Sequence, residues 1–292
     1  MSLISGFEHI VREDEPLAPY TRLKLGGVAE YFAEPTTIEE LSRLLTRFSM
    51  NETPIRIMGG GSNLLVRNEG VAGLVIHLAA PAFTTIDVQG NSMTLGGGTQ
   101  ISHFVASAVR EGMVGPERLV GIPGTIGGAL QNNTGAPGID IGTWVDSVEV
   151  MTRGGERQTR LRDQLAFSYR QSNLTELIVL KAVFKFEKED PAVLTRQMQK
   201  LWIARRASQP SSEENATYIF KDHGGETAAS LIEQAGLKGT RVGAVEISEQ
   251  NPNFFVAQPG ATSDQVLKLM ELVRTQVSER LDVRLENAIQ IW

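Results

Sequence analysis

The chain has 292 residues, 41% hydrophobic and 21% charged, enough for one large core or two smaller ones, and two domains are expected. Its 28 basic and 34 acidic residues give a net charge of -6, which argues against a broad electrostatic footprint for nucleic acid but leaves room for a local basic pocket. There is no cysteine, so disulfides, thiolate metal ligands and cysteine nucleophiles are excluded.

The opening MSLISGFEHIVREDEP has neither a cationic leader nor a secretory apolar run, and no stretch approaches the ~20 apolar residues of a membrane span. A cytoplasmic protein without membrane insertion is expected. TTIEELSRLLTRFS places Ile38, Leu41, Leu44, Leu45 and Phe48 at helical spacing, with Thr36 and Glu39 able to form a capping box. PIRIMGGGSNLLV reads as a strand entering a glycine turn, LVIHL as a strand, and TTIDVQGNSMTLGGG as two strands around Gly90 and Asn91. ISHFVASAVREG returns to the helical period and stops at Gly112.

VDSVEVMTRGGERQT reads as a hairpin and ELIVLKAVFKFEKE as a strand. A helix is expected from Pro191, ending in the polar run ASQPSSEEN, where the domain boundary falls. Beyond it come the strand TYIFK, the helix ETAASLIEQAGL, strands near VGAVEIS and NFFVAQ, the helix SDQVLKLMELVRTQVSERL and a final strand VRLENAIQIW.

Twelve of the 29 glycines cluster in three places: six in GIPGTIGGALQNNTGAPG, three at Gly59, Gly60 and Gly61, and three at Gly96, Gly97 and Gly98. Glycine lets backbone approach a ligand without an intervening Cβ, so successive amides can form an anion-binding concavity, for which a pyrophosphate is a natural guest. Tight turns between strands are the alternative. No cluster has G-x-G-x-x-G spacing at a strand-to-helix junction, and no P-loop or G-x-S-x-G elbow occurs. The four histidines show no pairing suited to a metal and read as structural or solvated.

The ordered set TRLKLGG, GGGSNLLV, GIPGTIGGALQNNTGAPG, FSYRQSNL, IFKDHGGETAASLIEQAGLKG and NPNFFV resembles the UDP-N-acetylenolpyruvoylglucosamine reductase (UDP-N-acetylmuramate dehydrogenase) family from about Pro19 to the C-terminus. The resemblance implies an α+β fold: an FAD-binding domain of the p-cresol methylhydroxylase type over residues 19–188, a connecting helix and linker over 189–215, and a smaller α+β substrate-binding domain over 216–292. Gly59, Gly60, Gly61, Ser62, Asn63 and Leu64, with Gly121, Ile122, Pro123, Gly124, Gly127 and Gly128, would line the FAD. NADPH would be the reductant, and the enolpyruvyl double bond of a UDP-sugar the acceptor, in peptidoglycan precursor synthesis. No motif specifies an oligomeric partner.

Hydride addition to the alkene pushes charge toward the substrate carboxylate, so the chemistry needs a cation there and a proton donor for the adjacent carbon. By the same resemblance, Arg170 of SYRQS would hold the carboxylate, with Tyr169 beside it, and Lys221 and Asn253 would contact substrate. A serine is usual two positions before Phe220, where this chain has Tyr218; Thr217 is chemically nearer to serine but faces the other way in a regular strand. The family's second glutamate in L-E-x-E is Ala288 here, leaving Glu286 two residues away, on the same face of the expected strand and ~7 Å along it. These departures leave three readings: a reductase with a modified donor, an FAD-dependent oxidoreductase acting on another anionic substrate, or a flavoprotein that binds a UDP-sugar without reducing it.

Overall fold

The computed structural model describes residues 3–174, 177–211 and 215–292. Neither of its two compact units is a continuous stretch: one comprises Met1–Asp14, Glu30–Gly60 and Ala72–Ile203, the other Glu15–Ala29, Gly61–Val71 and Ala204–Trp292. Among the described residues, no helix is long and apolar enough to cross a membrane.

The first unit contains two apolar cores. Helix α1 (Ile38–Met50) buries Leu41, Leu44, Leu45 and Phe48 with Ile55, Leu74 and Ile76; the last three lie on Ile55–Met58 and Val71–His77, which pair in parallel. Removing a side chain such as Leu44 from water stabilises by about 2 kcal/mol. The capping box forms one residue later than expected, on Thr37 and Glu40 rather than Thr36 and Glu39. Ile38 is the first helical residue, so Thr37 becomes the N-cap and Glu40 the residue that reaches back to it. Thr36 also donates its hydroxyl to Glu40, at 2.7 Å.

The second core lies on an antiparallel sheet ordered Arg157–Leu161, Val145–Met151, Ile178–Lys185, Ser92–Gly96 and Ile86–Gln89. Helix α2 (Ile101–Arg110) contributes Ile101, Phe104, Val105, Ala108 and Val109 to it, and Gly112 at φ +71° follows the helix end. Short helix α3 (Ile126–Gln131) adds Ile126, Ala129 and Leu130. The expected helix at Pro191 is α4 (Pro191–Ala207); residues 212–214 of the polar run after it lie outside the described residues.

In the second unit, the antiparallel sheet Ala216–Tyr218, Phe254–Ala257, Val245–Ile247 and Arg241–Val242 shares a core with α5 (Ala228–Gln234) and α6 (Ser263–Leu281). Val266, Leu269, Met270, Val273 and Val277 form the buried stripe of α6. The expected final strand is mostly absent. Only Gln290–Ile291 is strand, parallel to Leu64–Leu65, and Asn287 makes an isolated bridge to Phe220. The backbone divides its bonds between two partners: Ala288 N donates to Ile219 O at 2.8 Å and Gln290 N to Asn63 O at 3.0 Å. No regular ladder therefore runs through Glu286 and Ala288, and the same-face relation drawn from strand alternation does not hold.

Candidate functional site

In the first unit Gly59 and Gly60 come together with the other two glycine clusters. A Cβ on Gly59 would lie 2.6 Å from Thr125 Oγ1, and one on Gly60 would lie 3.0 Å from Gly124 Cα. Gly127 N donates to Gly97 O at 2.7 Å, and Ile101 N to Gly124 O at 2.9 Å. Gly121 and Gly124 adopt φ +77° and +116°, which side-chain-bearing residues rarely adopt. Thr125 caps α3, its hydroxyl accepting from Gly128 N at 3.4 Å, while Ile122 N donates to Leu119 O at 3.0 Å and Pro123 connects Ile122 to Gly124. A Cβ would collide at Gly59 and be tightly pressed at Gly60, so close approach of the loops is a reason for glycine there that strand-to-strand turns alone do not supply. A surface made of main chain fits a pyrophosphate-bearing cofactor.

Further along the first unit is a hairpin of two residue pairs, Phe167 opposite Ser172 and Ser168 opposite Gln171, with Tyr169 and Arg170 at its turn. Arg170 has φ +57°, a left-handed conformation that costs a non-glycine residue about 1 kcal/mol or more. Its Cζ lies 5.7 Å from the centroid of the Tyr169 ring, within cation–π range. Among the described residues, Arg170 Nε is the one buried side-chain nitrogen or oxygen with no hydrogen-bond partner. A guanidinium N–H removed from water and left unmatched is costly, so such a group points to an anion that the protein chain does not itself supply.

The second unit holds the remaining expected residues, and each polar side chain for which a contact is resolved touches another protein group. Tyr218 ends its strand opposite Phe254, and its hydroxyl donates to Asp222 Oδ1 at 3.0 Å. The same oxygen accepts from Ala228 N at 2.9 Å, where α5 begins. Thr217 is buried and donates its hydroxyl to Ser62 O at 2.8 Å. Lys221 Nζ lies 3.3 Å from Glu286 Oε2, the carboxylate being the more exposed partner, and Lys221 N donates to Glu286 O at 2.9 Å.

Asn253 is fully buried and grips Phe220 at both ends, accepting from Phe220 N at 2.9 Å and donating to Phe220 O at 2.8 Å. Its amide therefore sets the backbone that carries Lys221. Of the residues expected on the cofactor loop, Gly61 is at φ +61°, Asn63 Nδ2 donates to Ala288 O at 2.9 Å, and Leu64 is buried in its short strand. Two residues are not singled out from the sequence: Asp222, which no motif marks, and, in the first unit, Thr125. A helix-cap signal, threonine before an apolar residue with Gly128 three positions on, marks the latter.

Fold and glycine surface together define a flavin-binding class of protein: residues 29–160 match the family described as FAD binding domain. A Phl p 4 variant, a glucose oxidase, superposes with TM-score 0.50 at 13% identity over 65% of this chain and 44% of its own, a likeness of fold alone. Residues 209–292 match the family described as UDP-N-acetylenolpyruvoylglucosamine reductase, C-terminal domain. Proteins named UDP-N-acetylenolpyruvoylglucosamine reductase from Rhodopirellula baltica and Symbiobacterium thermophilum are each 40% identical over 97% of this chain and 93% and 92% of their own. The crystal structure of the Thermus caldophilus enzyme superposes with TM-score 0.84 at 35% identity, covering 97% of this chain and 99% of that one. The chain belongs to the UDP-N-acetylenolpyruvoylglucosamine reductase family.

Proposed function

We propose that the protein is the NADPH-dependent reductase of UDP-N-acetylenolpyruvoylglucosamine, yielding UDP-N-acetylmuramate for peptidoglycan precursors in the cytoplasm. Family membership supports the reaction, and one observation carries the residue assignment: the buried, unpartnered Nε of Arg170. FAD fits the glycine surface formed by Gly59, Gly60, Gly121, Gly124, Gly127 and Gly128, the loop continuing along the chain through Gly61 and Ser62. When bound, FAD supplies hydride transfer between NADPH and the enolpyruvyl carbon–carbon double bond.

The chain's own groups then have distinct parts. Arg170 stays charged throughout and meets the substrate carboxylate, toward which negative charge moves as the alkene accepts hydride. Tyr218 gives the phenolic proton to the neighbouring carbon by giving up its bond to Asp222, whereas Thr217 is buried with its hydroxyl on Ser62 O. Asp222 holds the Tyr218 hydroxyl in place. Lys221 offers a point charge to substrate oxygens, and Glu286 counters it until substrate arrives. Asn253 positions this segment through Phe220.

The test is anaerobic and uses the flavin colour. NADPH should bleach the purified protein, and UDP-N-acetylenolpyruvoylglucosamine should then restore the oxidised spectrum with one lactyl product per flavin. Bleaching that this substrate does not reverse would assign the electrons to another acceptor.

A further inference from the structure

The turn that presents Arg170 does not hold itself. A two-residue hairpin turn matched to strand twist needs positive φ at its first central residue or at both, whereas here Arg170 is positive and Tyr169 is not. Only two residue pairs close the hairpin, and an isolated hairpin is marginal even when longer. Something outside it must fix where the guanidinium points.

Two hydrogen bonds to the end of α3 and the segment after it supply that restraint, and a third braces Asn133. Asn133 Nδ2 donates to Ser168 O at 2.9 Å, on the residue just before the turn. Asn133 Oδ1 accepts from Gly142 N at 3.1 Å. Ser172 Oγ donates to Gln131 O at 3.0 Å, tying the returning strand to the end of the helix. Asn133 is 3% exposed and has φ +41°, the second side-chain-bearing residue of this region in the left-handed range. Gly142 is pressed between the two: a Cβ there would lie 2.5 Å from Phe167 Cγ and 2.8 Å from Asn133 Oδ1. The amide of Asn133 thus braces the hairpin from one side and is itself braced from the other.

We infer that Asn133, with Ser172, is a positioning residue for Arg170. The inference rests on the reading of Arg170 as the carboxylate-binding cation. It adds that the guanidinium is set by the peptide leaving α3, the helix capped by Thr125 of the glycine loop. One continuous run, residues 121–133, therefore forms part of the cofactor surface at one end and aims the substrate-binding arginine at the other. Misplacing a reacting or orienting group by about 1 Å can cost about 10²-fold in rate, so a brace of this kind is felt in turnover.

The experiment is a double-mutant cycle on the full-length, flavin-loaded protein. Asn133→Gly keeps the backbone at ease at φ +41° and deletes only the amide; it is combined with Arg170→Ala. The readouts are the rate of substrate-driven flavin reoxidation and, without turnover, the calorimetric affinity for UDP-N-acetylmuramate, whose carboxylate Arg170 would meet. Asn133→Gly should slow reoxidation by about 10²-fold and weaken product binding by about 10-fold, with NADPH bleaching and flavin content unchanged. The double variant should be no worse than Arg170→Ala alone.

Losses that multiply, or wild-type behaviour of folded Asn133→Gly, would overturn the inference while leaving Arg170 in its role. Wild-type behaviour of Arg170→Ala would remove that role and the inference with it. Should Asn133→Gly not fold, Ser172→Ala enters the same cycle, and the same non-multiplying pattern decides.

Discussion

Arg170 in the first unit and the cluster around Tyr218 in the second differ in what their polar atoms touch. Arg170 Nε is buried and unmatched, while Tyr218 donates to Asp222 and Lys221 lies against Glu286. The Arg170 Nε–H is already desolvated and unmatched, so a carboxylate that reaches it replaces no protein partner at that atom. Groups that hold one another are ordered in advance but must exchange a partner before they act. The first arrangement favours binding strength, the second a fixed direction of proton delivery.

Breaking the first arrangement should have the largest effect. Arg170→Ala is expected to lower kcat/KM for the UDP-sugar by about 10²–10³-fold, as for loss of one preorganised charge-stabilising donor, with flavin stoichiometry unchanged in the absorbance spectrum. Tyr218→Phe tests the second. Removing the proton should slow substrate reduction by about 10²-fold; an unchanged rate would pass the donor's role to another group.

Asn253→Ala separates positioning from chemistry. It strips both hydrogen bonds from the buried backbone of Phe220, so denaturant unfolding should show a loss of about 3 kcal/mol, whether or not substrate is present. The smallest effect lies far from either arrangement, at Glu40. The His9 hydrogen bond first, then those from Thr36 and Thr37, hold its carboxyl down at about 2. This contribution is complete above the unfolded pKa of ~4.3 and fades as pH falls through about 2. Glu40→Gln should therefore cost about 1 kcal/mol at neutral pH, in thermal melts followed by circular dichroism. The gap to the parent protein should narrow as pH falls below ~4 and close near about 2.

Local signals in the sequence were enough where local physics decides. The apolar spacing of Leu41, Leu44, Leu45 and Phe48 marks α1, and Gly90 with Asn91 marks the turn between Ile86–Gln89 and Ser92–Gly96. The cap of α1 was legible only to within one residue, because two threonines precede two glutamates and both registers satisfy the pattern. Alternation misled at VRLENAIQIW, where the backbone bonds to Ile219 and Asn63 in turn, partners far away in sequence. At the candidate site, motif order marked Arg170 and the glycine loops, but residue type could not reveal the left-handed turn at Arg170 or the bond from Tyr218 to Asp222. Both depend on where the chain goes next, and no periodicity encodes that.

The central claim is that Arg170 serves the substrate step alone, and timing the two half-reactions of Arg170→Ala separately by anaerobic stopped-flow tests it most directly. Flavin bleaching by NADPH should proceed at the parent rate, and reoxidation by UDP-N-acetylenolpyruvoylglucosamine should be slowed by about 10²-fold or more. Equal slowing of both half-reactions, or parent rates in both, would contradict the account.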